Sequence, residues 1–268
     1  MKKNLSNVFI FLIFIVGISL LLYPSIADLW NSYHQSYMIA SYTEKVESLD
    51  DNLEEQMLND ANKYNQTLLT KNYQWDLTDG ELELYNSTLD VTGTGIMGYI
   101  DIPTIDVELP IYHDKDEGVL QIAVGHFPGS SLPVGGTSTH CVLTGHTGLP
   151  SARLLTDIDQ LIEGDVFYLH VLNDTYAYEV DQIKVVLPEE VDDIAIVEGE
   201  DYCTLVTCTP YGINCHRLLV RGKRNAYVDL SSDIGSELQI LPMFITALVT
   251  IMLYMIISLI RNKFRKKG

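Results

Sequence analysis

The sequence predicts a mainly β domain, a barrel or a sandwich, preceded by a helical extension and flanked by two membrane-spanning helices. From Gly98 onward, short β-rich runs alternate with turn residues: YIDIP, VELPIY, HCVLTG, VFYLHVL, YAYEVDQIKVV, CTLVTC and RLLVRG. Regular short strands with few long helical periods indicate an all-β barrel or sandwich. Residues 28–92 are polar with helical spacing instead, and uncharged apolar stretches occupy 8–27 and 240–260. The expected organisation is therefore a membrane anchor or signal segment at 1–27 and a helical extension at 28–92. A β domain at 93–230 and a second spanning helix with a basic tail at 231–268 complete it.

The first stretch, VFIFLIFIVGISLLLYPSIA, is 20 residues long. As a helix it rises about 30 Å, the depth of a bilayer core. Ser25-Ile26-Ala27 also fits a signal cleavage site, but the run is long for a signal peptide and favours an uncleaved anchor. Within 50–64, Leu53, Met57 and Ala61 recur every four residues. They predict a helix with one narrow apolar stripe that docks on a neighbour, too polar to form a core alone. Thr92-Gly-Thr-Gly breaks that pattern. Residues 151–161, after the HTGLP turn, read as one short helix. The stretch 240–260, ILPMFITALVTIMLYMIISLI, is apolar on every face and is followed by RNKFRKK. Lys2 and Lys3 precede the first stretch, and Arg261, Lys263, Arg265, Lys266 and Lys267 follow the second. The positive-inside rule places both termini in the cytoplasm and residues 28–239 outside, the pattern of a bacterial envelope protein. In that setting the glycosylation sequons at Asn65, Asn86 and Asn173 read as ordinary polar residues.

The formal net charge is −19, and between those basic flanks 10 basic residues face 36 acidic ones. So acidic a middle excludes nucleic acid as a partner and reads as a solvated acidic surface. The four cysteines, Cys141, Cys203, Cys208 and Cys215, form no C-x-x-C pair, which argues against a zinc ribbon or a thioredoxin-like site. A zinc set of His140, Cys141, Cys203 and Cys215 would need folding to gather it, because their spacing does not.

Cys208 ends the run Thr204-Leu-Val-Thr-Cys, and Thr209-Pro210 follows. A strand that ends in cysteine ahead of a proline sets the thiol at a sheet rim; the competing reading is a buried structural cysteine. His146 stands in Leu143-Thr-Gly-His-Thr-Gly-Leu-Pro, just past an apolar strand and between two glycines. It is 62 residues from Cys208, so any pairing is tertiary. Arg217 opens the strand after the Cys208 strand, where a guanidinium can hydrogen-bond a carbonyl oxygen as it gains charge. Arg221 shares its face and competes for that role, while a surface ion pair is the plainer reading of either. His216 faces the other way and is a weaker base candidate. A thiolate, an imidazole and an oxyanion donor are what acyl transfer requires.

Thr204-Leu-Val-Thr-Cys-Thr-Pro-Tyr-Gly-Ile-Asn-Cys-His-Arg-Leu-Leu-Val-Arg-Gly resembles the active-site block of class C sortases, the pilin polymerases of Gram-positive bacteria. Leu143-Thr-Gly-His-Thr-Gly-Leu-Pro-Ser-Ala resembles their histidine block, and Met97-Gly-Tyr-Ile-Asp-Ile-Pro with Leu109-Pro-Ile-Tyr-His their opening strands. The likeness covers about residues 97–224. It implies an eight-stranded barrel with Cys208 as nucleophile, His146 as acid/base and Arg217 as the charge-stabilising group. It further implies cleavage of an LPxTG-like signal between Thr and Gly, a thioester, transfer to a lysine of the next pilin, and no cofactor or metal. Two departures stand out. The Asp-Pro-aromatic lid of such enzymes is absent; the nearest match is Gln74-Trp75-Asp76-Leu77, in a polar segment expected to be flexible and to form no effective lid. Cys215 replaces a small hydroxyl residue and is a candidate second reactive thiol. If the strands of Cys141 and Cys203 are neighbours, as in the family barrel, the two lie side by side, as a disulfide or, the favoured expectation, as two buried thiols. Alternatives are a wall-anchoring sortase, a surface cysteine protease using the same residues, and a non-enzymatic anchored binding domain.

Overall fold

The computed structural model describes residues 2–71, 73–113 and 117–225. The second apolar stretch and the basic tail lie outside the described residues. The first is part of α1, Lys2–Glu47, a single helix of 46 residues. It is long and apolar enough to cross a membrane, and Phe9, Ile10, Ile13, Phe14, Leu20 and Leu21 are all exposed.

Two further helices fill the polar extension, α2 (Asp51–Leu68) and α3 (Asp79–Ser87). The Asp50 carboxylate caps α2 by accepting from the Asn52 N–H, and Thr78 with Glu81 forms a capping box at α3. The buried face of α2 is Ala61, Tyr64, Asn65 and Leu68, spaced three and four residues apart. Leu53 is exposed, so the docking stripe starts later than its predicted position. Asn65 is spent inside: it donates to the Leu132 carbonyl and accepts from the Leu132 N–H.

Eight strands follow: β1 (Ile96–Ile102), β2 (Val107–Tyr112), β3 (Val124–His126), β4 (Thr139–Thr144), β5 (Val166–Val171), β6 (Asp174–Val186), β7 (Asp201–Thr209) and β8 (His216–Arg224). They close in the order β1-β2-β3-β4-β7-β8-β6-β5, with β1 also paired to β5. The sequence left barrel and sandwich open. Pairing of β1 on both sides makes it a barrel without an open edge. Ile100, Ile102, Ile111, Leu143, Phe167 and Leu205 are fully buried in its core. Cys141 and Cys203 are register partners on the parallel β4–β7 pair, both buried and both free thiols.

The helix expected over 151–161 does not form. A single 3-10 turn, Ile158–Gln160, stands there instead. Leu154 has φ of 44°, a left-handed conformation that interrupts a helix, and Leu154, Leu155, Ile158 and Leu161 are drawn into the core. Beyond its apolar stretch α1 runs along the barrel. The Tyr42 hydroxyl donates to the Met97 carbonyl at 3.1 Å and accepts from the Leu172 N–H at 2.8 Å. Burial pushes its pKa up to about 12.

Candidate active site

Side chains alternate along β7. Cys203, Leu205 and Thr207 are buried on the inner side, whereas Val206 and Cys208 on the other side are partly exposed. Cys208 thus sits one residue from the strand end, on the outer wall. Directly across the antiparallel ladder its register partner is Arg217 on β8. The parallel β4–β7 ladder runs to Thr144 opposite Val206, and the Gly145 N–H continues it to the Val206 carbonyl at 3.1 Å. The register ends there, with His146 and Cys208 each two residues further along its own chain.

The chain around His146 is held from both sides. The buried Thr207 hydroxyl donates to the Gly145 carbonyl at 2.8 Å, and the Leu155 N–H donates to the His146 carbonyl at 3.3 Å. Any side chain at Gly145 would collide with Leu155, whose Cγ lies 2.8 Å from the position of an added Cβ. Thr207, which holds the carbonyl next to His146, was not singled out in the sequence; its only signal was the alternation that turns it inward beside an outward Cys208.

The two arginines separate cleanly. Arg221 forms a bidentate pair with Asp181 at 2.9 and 2.8 Å and lies 4.2 Å from the centre of the Tyr202 ring. Its charge is committed to the barrel wall. Arg217 forms no ion pair among the described residues; its Nη1 donates to the backbone carbonyls of His216, at 3.1 Å, and Asn214, at 3.4 Å. His216 is opposite Thr209, and its Nδ1 is 3.0 Å from the exposed Cys215 sulfur. The hypothetical zinc set does not assemble. Cys141 is inside, Cys215 is on the outer loop, and His140 is bound to the Ala195 carbonyl (2.8 Å) and the Thr204 hydroxyl (2.7 Å). Burial lowers the His140 pKa to about 4, so the ring is a neutral strut that fixes the 191–196 segment.

An apolar strip leads to the thiol. Val142, Val186, Ile194 and Leu219 are buried beneath Val206, Val191, Phe127 and Trp75. Val206 and Leu219 are register partners two residues from the Cys208–Arg217 pair. The Trp75 segment is docked here, contrary to the expectation of a flexible tract. The Trp75 ring meets Phe127 edge-on at 5.3 Å, and Gln74 donates to the Gly129 carbonyl and accepts from the Ile196 N–H. Lys71 ties the other side by pairing with Glu81 at 2.9 Å. Without an Asp-Pro, the segment is tied by the Gln74 side chain to two distant loops. A cavity of about 520 Å³ opens beside the segment, between Leu69, Tyr73, Val191 and Ile196.

Residues 100–225 match the family model described as the sortase domain. Sortase C1 of Streptococcus agalactiae is 49% identical, superposes with a TM-score of 0.70 and covers 72% of this chain and all of its own. The chain belongs to the sortase family. This sortase, a cysteine transpeptidase, also resembles Clostridium perfringens sortase C, solved with the C-terminal cell wall sorting motif. That relative is 45% identical with a TM-score of 0.62, covering 72% of this chain and all of its own. Sortase A of Bacillus anthracis is 26% identical over 223 residues, 82% of this chain and 95% of its own. The class C resemblance is therefore matched by solved class C enzymes.

Proposed function

We propose that this sortase polymerises pilins, with Cys208, His146 and Arg217 as its catalytic residues. The observation that carries the reading is the Cys208–Arg217 register pair on the outer wall, with His146 in the loop that leaves the parallel neighbour strand at the same end. The Cys208 thiolate attacks the Thr carbonyl of an LPxTG-like signal whose apolar residues lie along the Val206–Leu219 strip. Arg217 N–H groups donate to the carbonyl oxygen as it becomes negative. His146 gives a proton to the departing Gly amine, leaving the acyl group on Cys208 as a thioester. A lysine amine of the next pilin then attacks, His146 accepts its proton, and the thiolate leaves as an isopeptide bond forms. No cofactor enters this scheme. The α1 helix and the apolar stretch 240–260 anchor the enzyme in the cell membrane, with the barrel outside and both termini in the cytoplasm. Support for pilins as substrates comes from the similarity to Streptococcus pneumoniae sortase C, 44% identical, whose structure is described as informative on pilin substrate specificity.

The test is a product assay on a sorting-signal peptide with and without a lysine-bearing acceptor. An amide-linked product that replaces the hydrolysed one is the expected result. Hydrolysis that the acceptor does not divert would make the protein a protease instead.

A further inference from the structure

The α1 helix acts as a ruler for the barrel. Its apolar stretch ends at residue 27, and its contacts with the barrel follow in a fixed order. The Arg153 N–H donates to the Asp28 carboxylate at 2.9 Å, and the Asn31 side chain donates to the Ser151 carbonyl at 2.8 Å. Gln35 reaches the Ile122 carbonyl at 2.8 Å, and only at Tyr42 does the helix meet Met97 and Leu172. At 1.5 Å per residue, Asp28 and Asn31 stand about 2 and 6 Å beyond the apolar stretch, and Tyr42 about 22 Å. The headgroup layer on each side of a bilayer is about 6 Å deep. The loop that continues from His146 therefore meets α1 within headgroup depth, while the β5–β6 turn at Leu172 and Asn173 points away. Trp30 and Tyr33, exposed at 65% and 67%, lie on α1 at the depth where interfacial aromatics collect.

The β7–β8 loop belongs to the same end of the barrel. Tyr211 packs against the His146 loop at Gly148, where an added Cβ would lie 2.8 Å from the ring. Yet Tyr211 and Ile213 are 70% and 71% exposed, the most exposed large apolar side chains among the described residues outside α1. An aromatic ring and an aliphatic side chain turned outward at headgroup depth have the chemistry of an interfacial anchor.

We infer that Tyr211 and Ile213 insert into the interfacial layer of the lipid bilayer, a second membrane contact that holds the catalytic mouth of the barrel against the membrane. The inference rests on the reading of α1 as the anchor. It gives Cys208 a working position at the membrane surface, between the loop that carries His146 and the loop that dips.

Depth-resolved quenching tests it on the full chain in phosphatidylcholine–phosphatidylglycerol nanodiscs whose lipids are brominated near the headgroup. Trp30, made the sole tryptophan by Trp75→Phe, reports on the anchor. Tyr211→Trp, Ile213→Trp and Val197→Trp, each in a Trp30→Phe, Trp75→Phe background, report on the loop and on the barrel's far end. The expected result is loss of emission at 211 and 213 as large as that of Trp30, with position 197 unquenched. Trp30 quenched while both loop positions stay as bright as 197 would overturn the inference and leave the anchor standing. An unquenched Trp30 would overturn both. The Ile213 site, free of the Gly148 contact, gives the answer alone if Tyr211→Trp disturbs the loop.

Discussion

Removal of the Trp75 ring should open the strip beside Cys208 to peptide. The ring is half-buried and edge-on to Phe127. If about 100 Å² of its surface leaves water, burial contributes ~2.5 kcal/mol, and the aromatic pair adds ~1. A docking energy of ~3 kcal/mol leaves the segment undocked in about one molecule in 200, and area sums of this kind are upper bounds. A sorting peptide that needs the Val206–Leu219 strip waits for that state, so Trp75→Ala should raise kcat/KM for the peptide by ~10- to 100-fold. Gly129→Ala offers a second route that leaves the ring intact. Its φ is 90°, and an added Cβ would stand 2.8 Å from the Gln74 carbonyl oxygen and 3.1 Å from the Trp75 Cα, which pushes the segment off. Cys208 is already part-exposed with the segment docked. Its alkylation by a small thiol reagent, followed in a Cys215→Ala background, should therefore change by less than about threefold. Peptide kcat/KM unchanged in both variants would refute the covering role. Equal acceleration of peptide and reagent would refute its location, by placing the ring over the thiol itself.

Three further outcomes follow from the geometry. Arg217→Ala should lower kcat/KM by at least ~100-fold with little change in melting temperature, whereas Arg221→Ala, which leaves Asp181 without its bidentate partner, should lose ~1–3 kcal/mol of stability and little activity. Thr207→Val removes the donor that holds the Gly145 carbonyl; kcat should fall about tenfold by misplacing His146, and Thr207→Ser should restore it. Because the folded pKa of His140 lies below its unfolded value, the unfolded chain takes the proton first. Its contribution is complete above pH 6.5 and is lost as pH falls to about 4; that loss amounts to roughly 3 kcal/mol. Melting curves across that range, with the His140 ring still neutral by NMR at pH 5, are the check.

The residues proposed for the chemistry stand out in the sequence because each lies at a local stop in a strand: Cys208 before Thr-Pro, His146 between glycines, Arg217 at the next strand's start. How they come together does not, since the β4 and β7 ends that carry the His146 loop and Cys208 are joined by a parallel ladder between strands 62 residues apart. Alternation put Arg217 and Arg221 on one face and could go no further; Asp181, forty residues upstream of Arg221, separates them. The segment around Trp75 reads as loose because its anchors are the backbones of Gly129 and Ile196, invisible in local composition. Leu154, Leu155, Ile158 and Leu161 have the spacing of a helix face, yet the barrel buries them from an irregular loop, so the helix read over 151–161 does not form.

Acyl transfer through Cys208 is tested most directly by trapping the enzyme on a sorting-signal peptide at mildly acidic pH and locating the adduct by fragmentation mass spectrometry. The expected result is one acyl group on Cys208, with the Gly-terminal fragment released, discharged by added lysine-bearing peptide and absent in Cys208→Ala. An adduct on Cys215, or transfer that persists in Cys208→Ala, would contradict it.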